Sequence, residues 1–394
     1  MRYVLTPGML GAAVTVVIGG FLIARLNLSW ATSLAIALVK ATLPLLYFVF
    51  FFKGQWFMID DYEYQRLGEI TLASGYTPWT LISTYSGRTL LVGLTNGQVV
   101  YPWWNAFGQW LFGRDYWAAV FLNVLLTFVA GYFTARTLED LGFPRRYVKG
   151  CLVFFLLHAE VLAWSSIINM KDFVVLAFSS IALRSLIVLA KLYQGRSSYA
   201  LSTFLRKAAT QLTVFAVMCV GFRYIRFYVP FLLLVALGAW AFLSLPIRWR
   251  VAILVAAPLA FRWVMRSYQH LASFLEPSGL LFGLLRFPLT PRPWSIQPNY
   301  TFLLLPSVLH WVFFVPTVFA AIALWVRVPL ARIPILYLLT TIAFFAVIPE
   351  VQGPRHRVQV LPLFAWLEFH AMWLAFAATD GRAERLDAAL VAHA

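Results

Sequence analysis

Residues 117–135 read WAAVFLNVLLTFVAGYFTA and carry no charge, while residues 173–193 read FVVLAFSSIALRSLIVLAKLY with only Arg184 and Lys191. An apolar run of about 20 residues, coiled as a helix, matches the roughly 30 Å hydrocarbon layer of a bilayer. Inside lipid the backbone must satisfy its own hydrogen bonds, so such runs cross as helices. Working outward on this criterion, spans are expected at 7–24, 29–52, 117–135, 149–167, 173–193, 210–222, 228–245, 251–265, 301–326, 333–349 and 360–379. The run at 210–222 is too short alone and must either extend toward its N-terminal side or break near Gly221. The fold expected is an all-α polytopic membrane protein of about eleven spans, with nine to thirteen as the rough range, built as one transmembrane domain over 1–394.

Composition agrees. The 394 residues are 62% hydrophobic and 12% charged, with a mean hydropathy of +0.79. A soluble domain carries about 25% charged residues, so a water-facing globule is excluded. The charges that remain are 31 Lys+Arg against 15 Asp+Glu, a formal net of +16. No basic block or nucleic-acid module accompanies this excess, so membrane topology and anionic lipid explain it rather than nucleic acid. Cys151 and Cys219 fall in or beside spans, outside any zinc-type spacing. The first apolar run is followed by a second rather than by a cleavage site, which reads as a retained span.

Two stretches interrupt the spans. At 53–116, short apolar-polar segments such as Tyr62–Leu72, together with Trp56, Trp79, Trp103, Trp104, Trp110 and Trp117, suit helices lying in the interface. At 266–300, the run Arg286-Phe287-Pro288-Leu289-Thr290-Pro291-Arg292-Pro293-Trp294 predicts a fixed extended loop. If spans alternate, the basic connections at 136–149, 191–207, 248–250 and 327–332 and the 380–394 tail share one side, which the positive-inside rule makes cytoplasmic. The opposite side then collects Asp60-Asp61, Lys171-Asp172, Arg223 and Arg226, the 266–300 loop, and Glu350 with Arg355-His356-Arg357. Ionisable groups at membrane depth cost roughly 2.5–3.5 kcal/mol each on insertion scales, so their gathering on one side marks a functional cavity.

Each motif has two readings. Asp60-Asp61 is either an acidic cap on an interfacial helix or a general base with a partner that tunes it. Lys171-Asp172, in a short connection, is a neutralised hinge or a phosphate contact with its orienting acid. Arg223, Arg226, Arg355 and Arg357 are snorkelling anchors or a clamp for phosphate, which Arg binds bidentately. The six histidines are scattered without a metal-binding motif, so no metal and no cofactor is expected.

Asp60-Asp61-x-x-Tyr64, Ile168-Asn169-Met170-Lys171-Asp172, Arg223-x-x-Arg226, the Pro/Arg-rich loop and Gly353-Pro354-Arg355-His356-Arg357 occur in order over most of the chain. In this the sequence resembles the GT-C superfamily of integral-membrane glycosyltransferases, especially bacterial relatives of protein O-mannosyltransferases and aminoarabinose transferases. The resemblance implies a bacterial inner-membrane enzyme with its active site on the periplasmic face. It would move a sugar from a polyprenyl-phosphate-linked donor to a glycan, lipid or protein acceptor, with inversion. It also implies that Asp60 or Asp61 is the catalytic base, that Lys171, Arg223, Arg226, Arg355 and Arg357 bind the donor phosphate, and that Tyr64, Asp172 and His356 support them. Two apolar runs precede the acidic motif here, where family members usually carry one. A polysaccharide polymerase or ligase, and a transporter or flippase of an anionic lipid-linked substrate, are the competing expectations; the latter predicts broken spans in matching positions of two halves.

Overall fold

A computed structural model describes residues 3–54, 59–95, 97–251, 279–348 and 353–379. Every regular element among them is helical. Two helices lead: α1 (Pro7–Arg25), with Pro7 at its start and the Thr6 side chain accepting from the Met9 N–H, and α2 (Trp30–Leu46), capped by Ser29. Pro and a hydroxyl cap are the groups that a helix start can use. A π-helical turn over Tyr47–Phe51 closes α2, and Gly54 at φ 77° turns the chain toward the next helix.

Four helices too short to span follow: α3 (Ile59–Ala73), α4 (Pro78–Ser83), α5 (Tyr85–Thr95) and α6 (Val100–Phe112). The next are α7 (Trp117–Asp140), α8 (Arg145–Leu156), α9 (Ala159–Ile167), α10 (Asp172–Gln194), α11 (Leu201–Arg223) and α12 (Tyr228–Ser244). After the gap come α13 (Leu280–Leu289), α14 (Leu304–Arg327), α15 (Arg332–Ala346) and α16 (Leu361–Thr379). Eight of the described helical segments are long and apolar enough to cross a membrane, and the bent α8–α9 pair makes a ninth. The protein is a polytopic, multi-pass membrane protein.

The short run at 210–222 lengthens at its N-terminal end, since α11 begins at Leu201. The expected span 149–167 is two helices, α8 and α9, bent by 43°. The expected span 251–265, Glu350 and the 380–394 tail lie outside the described residues, apart from residue 251. The 266–300 segment is corrected in part: Arg286–Leu289 form the last turn of α13, and extended chain begins at Thr290. Pro288 lies in the last turn of α13, one residue before the helix ends.

Burial ranks the helices. In their most apolar windows α7 is 67% and α10 72% buried, whereas the corresponding window of α11 holds no fully buried residue and the helix packs on α10 along one face, ending at Gly221 and Phe222. α7 and α10 pack on each other, and α7 also packs on α1, α2, α6, α8 and α9. Small residues bring these axes close: a Cβ on Gly20 would lie 2.6 Å from Phe128, and one on Gly150 would lie 2.7 Å from Phe369. At one end of this core Arg184 and Lys191 of α10 bond Asp140 of α7. A cavity of about 690 Å³ there is lined by Glu139, Lys191 and Arg327, so three of the basic connections share that end. The other end of α10 begins at Asp172.

Candidate functional site

The 53–116 stretch builds the rim of the Asp172 end. On α3 the buried positions Asp61, Tyr64, Leu67, Gly68 and Thr71 repeat with the helical period, which defines one inward stripe. That stripe packs on α6, where a Cβ at Gly68 would lie 3.1 Å from the Ala106 backbone nitrogen. Exposed apolar side chains of the stretch include Trp79, Ile82, Tyr85 and Val92 on α4 and α5, Tyr62 on the outer face of α3, and Trp110 and Leu111 near the end of α6.

Helical phase separates the two aspartates. Asp61 lies on the stripe, 1% exposed, and accepts from the Tyr116 hydroxyl at 3.0 Å. Asp60, one residue earlier, keeps 53% of its side chain exposed and accepts from Arg355 Nη1 at 2.7 Å. The Arg355 guanidinium also donates from Nε to Asp172 Oδ2 at 2.8 Å, and Arg226 Nη2 donates to Asp172 Oδ1 at 2.8 Å. Asp172 is 1% exposed, so one buried carboxylate orients two arginines. Its place in the first turn of α10 also favours its charge through the helix dipole.

Lys171 is 9% exposed, donates to Gln98 Oε1 at 2.6 Å and stands 5.7 Å above the Tyr64 ring. Burial, followed by the neighbouring Arg226 charge, pulls its ammonium down to about 8. Burial also raises the Tyr64 phenol to about 12, so Tyr64 stays protonated. Burial is the largest influence on Arg226 and works against its charge, but the Asp172 carboxylate together with Tyr228 and Tyr64 holds the guanidinium above its ordinary value. Asp60, Asp172, Lys171, Arg226 and Arg355 thus form one ionic group with a formal charge of +1, fed by four separate parts of the chain.

Beneath it lies a neutral polar floor. Asn169 receives the Tyr101 hydroxyl on its side-chain oxygen and donates to Asn105 Oδ1 at 2.6 Å; its backbone N–H donates to the Tyr116 oxygen at 2.9 Å. Asn123 donates to the Tyr101 oxygen at 2.9 Å. These buried amides and phenols fix the 168–172 connection that carries Lys171 and Asp172.

Not every expected residue joins. Arg223 ends α11 on the exposed surface and makes no ion pair among the described residues. His356 packs on Phe345, ring centres 5.0 Å apart, with Nδ1 buried and unpartnered. Arg357 is the main correction in placement. At 1% exposed, it donates to Glu160 through Nε and Nη2 and to the Pro288 and Thr290 carbonyls through Nη1 at 2.7 Å. Its guanidinium is consumed inside the bundle because, two residues along the Pro354–Val360 3-10 helix, it projects away from Arg355.

Glu160, outside every motif singled out in the sequence, belongs to a second ionic group. His310 Nε2 meets Glu160 Oε2, His310 Nδ1 meets Glu368 Oε1 at 2.8 Å, and His158 Nε2 meets Glu368 Oε2 at 2.9 Å. The available signal was an ionisable residue inside each of three apolar runs, since Glu160, His310 and Glu368 all sit within expected spans. Lys40, 1% exposed on α2, was a fourth; its Nζ donates to the Leu156 carbonyl at 3.2 Å, beside the α8–α9 break.

Comparison of the chain with protein-family models, curated proteins and solved structures finds no match. The functional reading therefore rests on the geometry above.

Proposed function

We propose that the protein is a membrane glycosyltransferase that takes a sugar from a polyprenyl-phosphate-linked donor and passes it to an acceptor hydroxyl. The observation that carries this reading is the Asp60–Arg355–Asp172–Arg226 chain, which sets a half-exposed carboxylate beside two arginines and Lys171. The donor phosphate binds Arg355, Arg226 and Lys171, competing with Asp60 for Arg355 and freeing the Asp60 carboxylate. Asp60 then accepts the acceptor's hydroxyl proton as that oxygen attacks the anomeric carbon. The bond to the phosphate oxygen breaks on the opposite face, giving inversion, and the negative charge gained by the leaving polyprenyl phosphate is met by the same cations. Asp172 positions the arginines, Asp61 and Tyr116 fix the start of α3, and Tyr64 braces Lys171. Resemblance to GT-C enzymes supports the same assignment and adds an extracytoplasmic active site in the bacterial inner membrane.

The test is reconstitution of the protein in liposomes with a radiolabelled polyprenyl-phosphate-linked sugar and an envelope extract as acceptor. The expected result is release of polyprenyl phosphate with label in an acceptor of inverted anomeric configuration. One observation favours a transport reading instead: the broken α8–α9 span with ionisable groups packed at its break. Passage of intact donor between leaflets without sugar transfer would establish that reading.

A further inference from the structure

We infer that His158, His310 and Glu368 are the ligands of a divalent transition-metal ion of the zinc type, bound inside the bundle. They come from three separate elements: the residue that opens α9, the second turn of α14 and the middle of α16. One donor atom from each lies within 4.8 Å of the others. A tetrahedral zinc site with bonds near 2.1 Å sets its ligand atoms roughly 3.4 Å apart. Two contacts are already shorter than that, because Glu368 holds His310 Nδ1 at 2.8 Å and His158 Nε2 at 2.9 Å, one on each carboxylate oxygen. Forming the site requires the carboxylate to turn and the two imidazoles to move together.

Two imidazoles and a carboxylate form a zinc-type donor set. All three residues are at least nine-tenths buried. The surroundings have the outer arrangement that such sites use: the far nitrogen of His310 is held by the Glu160 carboxylate, which Arg357 grips from two nitrogens and Trp164 Nε1 approaches at 3.2 Å. A carboxylate behind a ligating imidazole fixes its tautomer and orientation. Arg357 is itself anchored on α13 carbonyls, so the arrangement is rigid for two layers.

Charge leaves room for a cation beside these carboxylates. Glu160 and Glu368 place two carboxylates in the interior, and Arg357 is the permanent cation beside them. A buried charge without compensation is strongly unfavourable, so the group requires further positive charge from a proton shared among imidazoles or from a metal ion. His158 Nδ1 has no partner under either solution, because the nitrogen that faces Glu368 is Nε2. The metal solution leaves both imidazoles neutral, each ligating through the nitrogen that faces Glu368. Three protein ligands leave a fourth position for water, and Ser307, one turn before His310 on the same helix face, carries a buried hydroxyl without a partner. The ion would tie the broken span to two others, directly behind the 3-10 helix that presents Arg355.

The test is metal analysis of the full chain, purified in detergent from zinc-replete cells and washed with a mild chelator. The expected content is about one zinc per chain, and Co²⁺ substituted for zinc should give the absorption of a four-coordinate site. His310→Ala and Glu368→Gln should lose the ion, Glu160→Gln should weaken it by about 10–100-fold, and Asp172→Asn should retain it. Zinc added to chelator-treated wild type should raise Tm, a readout that does not require any variant to fold. Wild type that holds no zinc, shows no Co²⁺ band and gains no Tm would overturn the proposal. It would establish a network held by protons.

Discussion

Arg355 and Arg357 stand two residues apart on one 3-10 helix, yet they serve opposite environments. Arg355 reaches a carboxylate that is half exposed and a second that is buried, at the open end of α10. Arg357 reaches the buried Glu160 and backbone carbonyls at the end of α13, with no half-exposed carboxylate among its partners in the described residues. The first arrangement can exchange a protein carboxylate for a substrate phosphate; the second can exchange nothing without leaving a charge stranded. Exposure of one partner, rather than the number of ion pairs, separates a reactive group from a structural one.

The sharpest way to break this comparison is to remove each arginine's function in turn. Arg357→Met should lower stability by about 3–5 kcal/mol, seen as a large fall in Tm and in yield, because Glu160 is left buried without its main partner. Asp172→Asn should leave the fold in place but reduce sugar transfer by about 10²–10³, since Arg226 and Arg355 lose their common anchor. A Tm change larger than the activity change in that variant would put Asp172 with the structural group.

Lys171 gives a smaller, pH-dependent effect. With its ammonium pulled down to about 8, it carries a charge below that pH and loses it above. Donor affinity should therefore weaken about tenfold between pH 7 and 9, and Lys171→Met should flatten the profile. Stability should move the other way. Between about 8 and the ordinary lysine value the unfolded chain binds more protons than the folded one, so Lys171 costs progressively less stability as pH rises through that window. Equilibrium unfolding across that range checks the sign. Arg223→Ala, at an exposed helix end outside the ionic group, should change stability by less than about 0.5 kcal/mol and leave transfer unchanged.

The same two regions show what could be read from the sequence. Most of the described spans were legible because hydropathy acts over many residues. Asp60, Lys171, Asp172, Arg226 and Arg355 were named from sequence and do meet in space. Which aspartate faces outward was not legible, since one residue of helical phase, set by where α3 packs on α6, exchanges them. Arg357 was grouped with Arg355 by adjacency, although a step of two along a 3-10 helix turns a side chain most of the way round. The inner group was hidden more deeply. His158 and Glu368 are 210 residues apart, and nothing local to either signals the partner. The α8–α9 break was equally silent, because its flanking residues Leu157 and His158 carry neither Pro nor Gly.

The central claim is that Asp60 is the base and that Asp61 only holds α3 in place. The most direct measurement is single-turnover transfer from the polyprenyl-phosphate-linked donor in liposomes, with donor binding followed in parallel, for Asp60→Asn and Asp61→Asn. The account predicts that Asp60→Asn binds donor within a few-fold of wild type but loses about 10²–10⁴ in the transfer rate. It predicts that Asp61→Asn, once folded, transfers at near the wild-type rate. Wild-type transfer by Asp60→Asn, or its loss in Asp61→Asn alone with donor binding intact, would contradict it.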